Sequence, residues 1–469
     1  MDKLDFETWS RRAALWGVQY RDGLADRPVR ARTSPGEIYR AIPPKPPETG
    51  EEMERIFEEF ETLIEPGMTH WQHPRFFAYF PSNAAPVSVV AEYLVTAMAA
   101  QCMLWQTSPA ATELETRMME WLGAALGLPA TFSGVIQDSA SSATLAAVLM
   151  MRERTLDWQG NRAGLSQMPR LRIYCSDQVH SSIDRAIWIA GIGQDNLVKI
   201  PADPLSGALP PKQLEAAIRA DRAAGYTPAG VIGCVGATGT GASDDIAKLV
   251  EVAHAHDLLI HVDAAWAGSA MICPEFRDLW AGVEGADSVV FNPHKWLGAS
   301  FDCSAHFIRD PEMLVRTLAI QPEYLKTHGQ DGIINYSEWS VPLGRRFRAL
   351  KLWFLLRFHG LEGLRGMIRD HVRWAHNLHD RLAATPGVEI VTAPVLSLFS
   401  FRRDGASDAD TIAHVSAIND DGRIYLTQTR VAGRLVIRFQ AGSHAMREAD
   451  IDIAYAAILD GLGLQAEER

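Results

Sequence analysis

Two residues of this chain stand where covalent chemistry could be done. Asp263 closes the run LLIHVD and Lys295 follows SVVFNPH, so an acid and an amine project from the ends of two successive strand-like runs. A lysine nucleophile must shed its proton, through desolvation or nearby positive charge. An aspartate beside it could keep a pyridine nitrogen protonated, so the pair suits pyridoxal phosphate. It suits a loop ion pair as well, and the two residues alone do not choose.

Two further features bear on that choice. The stretch GVIQDSASSATLAAVLMMRER runs from a short strand into a helix whose first turn holds Ser139, Ser141, Ser142 and Thr144. Backbone N–H groups and hydroxyls there could receive a phosphate, although serine capping alone explains many such helices. His180, in SDQVHSS after the run RIYCS, is placed where a flat imidazole could lie over a cofactor ring. Thr238, in GATGTG, offers a hydroxyl or belongs to a turn.

These residues need a sheet to position them. β-branched runs at 172–176, 196–200, 230–235, 258–263 and 287–292 alternate with capped helical segments, the pattern of a mostly parallel sheet with crossover helices. Ligands collect outside the carboxyl ends of such strands, which is where the candidate residues fall. The helical pattern of 108–127 places Leu114, Met118, Trp121, Leu122, Ala125 and Leu126 on one stripe. After the long helical stretch GRRFRALKLWFLLRFHG come strand-like VEIVTA, SLFSFR, RIYLTQ and RLVIRF with helices between them. The expected organisation is an α/β fold in three parts: an N-terminal helical extension (1–85), a large α/β domain (86–370) and a smaller C-terminal α/β domain (371–469).

Composition narrows the function. With 469 residues, 47% of them hydrophobic and 22% charged, the chain has ordinary globular make-up. A net charge of -12 argues against a nucleic-acid partner. The five cysteines are scattered without a Cys-x-x-Cys pair, which points to reduced thiols in a cytoplasmic setting. The N-terminus lacks the apolar core of a signal peptide, and AAPVSVVAEYLVTAMAAQCMLW, interrupted by Glu92, reads as a buried helix rather than a membrane span.

Taken in order, HWQHPRFFAYFPSN, SPAATELETRMMEWLG, GVIQDSASSATL, SDQVHSS, HVDAAWAGSAMICPEF, ADSVVFNPHKWLG, FDCS and VPLGRRFR span nearly the whole chain. In this set the chain resembles the group II pyridoxal-phosphate-dependent amino-acid decarboxylases, most of all those acting on aromatic L-amino acids. The resemblance implies the PLP-dependent transferase fold (fold type I) and decarboxylation of a phenylalanine, tyrosine, dopa or tryptophan type substrate to an amine and CO2. It makes Lys295 the cofactor-bearing lysine, Asp263 the partner of the ring nitrogen and His180 the residue stacked on the ring. Ser139, Ala140 and Ser141 would meet the phosphate with Asn292 and His294, while Thr238 and Ala265 complete the cofactor-binding set. Tyr324 matches the tyrosine of the family's mobile catalytic loop and would return a proton to the α-carbon. Relatives that form aldehydes tend to carry phenylalanine there. Trp71, Tyr79, Phe80, Pro81, Ser82, Met103 and Gly344 would line the substrate side chain, and a homodimer with shared active sites is implied. Gln101, Met103, Trp266 and Asp138 depart from the family pattern, so the substrate is less narrowly implied than the cofactor.

An aldehyde synthase, or a decarboxylase of an acidic amino acid such as glutamate, is the alternative on the same fold. A metal hydrolase built on His254, His256, His261 and Asp263 matches no ligand spacing, since His254 and His256 fall on different sides of a helix. A membrane- or nucleic-acid-binding stripe along GRRFRALKLWFLLRFHG is disfavoured by the overall acidity and the interleaved large apolar residues.

Overall fold

Continuous β-branched runs form strands buried on both faces, and adjacent residues of each run enter different cores. In the computed structural model, which describes residues 2–320 and 332–465, Val231 and Ile232 of one strand belong to two separate hydrophobic clusters, as do Ile260 and Leu259 of the next. That double burial is why the strands read as unbroken apolar runs rather than alternating ones.

The strands are β1 (Ser133–Gln137), β2 (Leu171–Ser176), β3 (Leu197–Ile200), β4 (Thr227–Cys234), β5 (Leu259–Asp263), β6 (Ser288–Phe291) and β7 (Ser304–Ile308). They form one sheet in the order β1-β7-β6-β5-β4-β2-β3. From β6 to β3 the neighbours are parallel, and β7 lies antiparallel to both β6 and β1. The parallel core follows the sequence expectation. β7 was not foreseen, because its alternating polar start, SAHF, carries buried Ser304 and His306 where an apolar run would be sought.

The second sheet is antiparallel, β10-β11-β9-β8, formed by β8 (Val388–Val395), β9 (Leu398–Arg403), β10 (Thr427–Val431) and β11 (Arg434–Gln440). Its core is Phe399, Phe401 and Phe439 against the helices Asp408–Asp421 and Ala449–Leu462. The expected strand RIYLTQ begins later than anticipated. Tyr425 instead makes an isolated bridge with Phe76, and Phe77 donates to the Tyr425 carbonyl at 3.0 Å, so the N-terminal extension is sewn to the small sheet. The helix Ala349–Ala383 runs past residue 370 and links the two sheets, with a break at Gly360 (φ 64, ψ 168).

Two expectations about helices need correction. The helix Pro86–Met98 is not buried: it buries Ser88, Ala91 and Val95 but exposes Val89, Val90, Tyr93, Leu94 and Met98, because its apolar residues surround it while only one side meets the long helix. In Pro109–Leu126 the stripe of Met118, Leu122, Ala125 and Leu126 is buried as expected, whereas Trp121 at its edge is exposed.

Candidate active site

The parallel strands deliver their C-terminal residues to one cavity of about 220 Å³. Asp263 ends β5, and its register partner on β4 is Cys234. Both line the cavity, with Lys295 from the loop after β6 and His180 from the loop after β2. Ser139, Ala140 and Ser141 close one end, at the start of the helix Ala140–Thr155. Ser139 caps that helix by accepting from the Ser142 N–H at 3.2 Å. The remaining first-turn N–H groups, with the helix dipole behind them, suit an anion.

Lys295 is the electrostatic centre. Burial, opposed by Asp263 and assisted by the Arg438 cation, pushes its pKa down to about 8. The free amine is therefore accessible near neutral pH. The loop is fixed from both sides: the Lys295 N–H donates to the Asn292 carbonyl at 2.9 Å, and the Asn83 side chain donates to the Lys295 carbonyl at 2.9 Å and that of Gly442 at 2.7 Å. Asp263 accepts from the Ala265 N–H at 3.0 Å through Oδ1, leaving Oδ2 for another donor. His180 lies at the exposed mouth, and its Nδ1 accepts from the Ser182 N–H at 3.1 Å, so the proton of the neutral ring sits on Nε2. Burial, with Lys295 next to it, lowers the His180 pKa against the pull of Asp263.

Phe80, Thr238, Ala265, Trp266 and Asn292 complete the wall. Phe80 stacks on Trp266 with ring centres 4.4 Å apart, and Trp266 stacks on Trp296 at 5.1 Å. Gly236 also lines the cavity with φ +79, and a Cβ there would stand 2.6 Å from that of Ala267. Asn292 accepts from the Ser304 hydroxyl at 2.5 Å.

The structure brings together Lys295, Asp263, His180, Ser139, Ala140, Ser141, Thr238, Ala265, Asn292 and Phe80 from the sequence-derived set. His294 is not on the cavity wall. Its Nδ1 accepts from the Cys303 N–H at 2.9 Å, and burial holds its pKa at about 3, because the turn at Pro293 sends consecutive side chains in different directions. Trp71 and Tyr79 stack on each other 5.8 Å apart, half-exposed and away from this cavity. Pro81 packs against Gly442, and the Ser82 carbonyl accepts from Gln72 at 2.5 Å. The Met103 carbonyl accepts from the Ser337 N–H at 3.0 Å, and Gly344 is exposed beside Gln101. None of these six lines the cavity within one chain. Tyr324 lies outside the described residues.

Sequence reasoning missed Cys234, Gly236, Ser182 and above all Arg438. Arg438, on β11, stacks on Phe80 at 4.6 Å, on the ring that Lys295 Nζ approaches to 5.1 Å. Its Nη1 donates to the Ala78 carbonyl at 2.6 Å, but among the described residues Nε and Nη2 have no hydrogen-bond partner and no carboxylate acts on it. Burial pushes its pKa down to about 10. The signal was present as the second arginine of RLVIRF, the one that follows three apolar residues and precedes a phenylalanine.

A desolvated lysine, a free carboxylate oxygen and an anion-binding helix start, all facing one cavity, fit pyridoxal phosphate: amine for aldehyde, acid for ring nitrogen, helix for phosphate. Fold and site thus define a class, the lysine-dependent enzymes that carry this cofactor on a mostly parallel sheet. Residues 35–404 match the family described as the pyridoxal-dependent decarboxylase conserved domain. The aromatic-L-amino-acid decarboxylase of Sus scrofa is 39% identical, with 100% of this chain and 97% of that protein covered. Among solved structures, Oryza sativa TDC with PLP and tryptamine superposes with a TM-score of 0.95 at 32% identity, covering 99% of this chain and 98% of that one. The Rhodiola rosea 4-hydroxyphenylacetaldehyde synthase gives 0.92 at 33% identity, covering 99% of each. The chain belongs to the pyridoxal-dependent decarboxylases.

Proposed function

We propose that this enzyme decarboxylates aromatic L-amino acids of the phenylalanine, tyrosine, dopa or tryptophan type, releasing the amine and CO2. The observation that carries the proposal is Lys295, desolvated and facing Asp263 across a cavity walled by Phe80 and Trp266. Pyridoxal phosphate, when bound, supplies a conjugated ring that takes up the electrons of the breaking bond. Lys295 offers the amine that holds the aldehyde carbon, and Asp263 holds a proton at the ring nitrogen through its free oxygen. The N–H groups of Ala140 and Ser141 bind the phosphate with Ser139 and Asn292, while His294 supports that loop from the Cys303 side. His180, at the cavity mouth with its proton on Nε2, would pack against the ring. Arg438 supplies a buried positive field that favours a substrate carboxylate and the free amine of Lys295 together. Tyr324 is the proposed donor of the proton that completes the amine.

The aromatic wall suits a planar apolar side chain. Relatives named for amine-forming and aldehyde-forming reactions both share the fold, which keeps the aldehyde synthase as the second reading. Assaying CO2, amine, ammonia and peroxide across phenylalanine, tyrosine, dopa, tryptophan and glutamate separates the two. Amine in step with CO2 supports the proposal, and ammonia with peroxide, or turnover of glutamate alone, contradicts it.

The division at residues 85 and 370 and a cytoplasmic location belong to the same proposal. So does a homodimer. The apolar face of Pro86–Met98 is the kind of surface a partner subunit covers, and a second chain would bring Trp71, Tyr79, Pro81, Ser82, Met103 or Gly344 to a site they do not reach within one chain. Among the described residues no helix is long and apolar enough to cross a membrane.

A further inference from the structure

The histidine at the cavity mouth is held by the residues that follow it. His180 lies in the loop after β2, and its carbonyl accepts from the Ile183 N–H at 3.0 Å as the backbone enters the helix Ser182–Ile189. The ring folds back over that entry. Its Nδ1 stands 3.1 Å from the Ser182 backbone nitrogen and 2.8 Å from the Ser182 hydroxyl oxygen. Ser182 itself lines the cofactor cavity, and among the described residues its hydroxyl has no other partner.

These two contacts are satisfied in one way only. A backbone N–H can do nothing but donate, so Nδ1 carries its lone pair. An oxygen 2.8 Å from that lone pair bonds it only by turning its own O–H inward, so both donors of Ser182 converge on one atom. A proton on Nδ1, in the other neutral tautomer or in the imidazolium, would face two donors and break both bonds. The charges around the ring do not reverse this. Burial disfavours the imidazolium, Asp263 favours it, Lys295 opposes it and Asp184 favours it. Of the two carboxylates, Asp184 is paired with Lys199 at 2.8 Å, and Asp263 has Oδ1 on the Ala265 N–H.

We propose that Ser182 is a positioning residue that locks His180 as a neutral ring with its hydrogen on Nε2, so that this histidine gives a fixed N–H to the occupant of the cavity mouth and neither takes up nor releases a proton during turnover. The inference rests on the place given above to His180 against the cofactor ring. It also divides the work at the site, because a ring locked at Nδ1 leaves the proton that completes the amine to another group.

The test is nitrogen NMR of the holoenzyme labelled at histidine, with His180→Asn marking the resonances that belong to residue 180. Wild type is expected to show a lone pair on Nδ1 and a hydrogen on Nε2, unchanged between about pH 5 and 8. Ser182→Ala, which keeps the backbone donor, should lower kcat roughly fivefold, and Ser182→Thr should restore it. Ser182→Asp puts an acceptor in place of the hydroxyl at a helix start that tolerates it. It should move the hydrogen to Nδ1, bring a histidine ionisation into the kcat profile and lower kcat at least about tenfold. The spectra need no turnover, so they judge this inference whether or not the enzyme acts on aromatic amino acids. A hydrogen on Nδ1 in wild type, a wild-type ring that titrates within that window, or a Ser182→Asp enzyme with the wild-type tautomer and profile would each overturn it.

Discussion

At the scale of single residues, the chemistry turns on charge in a largely buried cavity. Because the Lys295 pKa is lowered to about 8, the free amine grows as pH rises through that value. The rate at which apoenzyme captures pyridoxal phosphate should therefore climb between about pH 7 and 9 and level off above, as followed by the visible band. Arg438 contributes to the lowering, so Arg438→Met should move that midpoint upward and raise KM for the amino acid roughly tenfold, about 1.4 kcal/mol. An unchanged midpoint would show that Arg438 does not act on the lysine. Asp263→Asn should cut kcat by about 10²–10³ with little loss of stability, since it removes a preorganised charge. Lys295, Asp263 and His180 were legible because a strand-end position is a sequence-visible fact in a parallel sheet. Arg438 was not, because it reaches Phe80 from β11, far along the chain and in another sheet. His294 shows the converse: adjacency to Lys295 in sequence does not give it the same side of a turn.

At the scale of elements, the anion-binding helix start depends on how β1 is held in front of it. Glu115, on Pro109–Leu126, accepts from the Ile136 N–H of β1 at 2.8 Å and pairs with Arg345, whose Nη2 donates to the Ile136 carbonyl at 3.0 Å and whose Nη1 donates to Ser340 at 2.9 Å. Both charges are buried. Glu115→Ala leaves the guanidinium uncompensated and should cost ~3–5 kcal/mol in urea unfolding, whereas replacing both partners by methionine should cost far less. Gly236→Ala forces a Cβ into Ala267 at positive φ and should weaken cofactor binding at least tenfold, read from the same visible band, while the fold persists. The parallel strands were readable because both their faces are buried. β7 and the late start of β10 were not: β7 is fixed by pairing with β1, far back in the chain, and Tyr425 is drawn out of the small sheet by its bridge to Phe76.

At the scale of the whole molecule, the exposed apolar face of Pro86–Met98 is the feature a lone chain explains least well. Sedimentation should give twice 51.7 kDa, and Val90→Glu with Leu94→Glu should shift the enzyme toward monomer and remove activity without displacing the cofactor. A wild-type monomer of full activity would contradict shared active sites. The sequence could not show this face, because the run that forms it reads as apolar all round, as a buried helix does.

The central claim is that Lys295 carries the cofactor, and borohydride reduction of the yellow holoenzyme followed by peptide mapping tests it most directly. The account predicts one phosphopyridoxyl group per chain, on the peptide containing FNPHKWLG, and none in a folded, inactive Lys295→Ala variant. A label on a different lysine, or a colourless protein that takes up no label when supplied with pyridoxal phosphate, would contradict it.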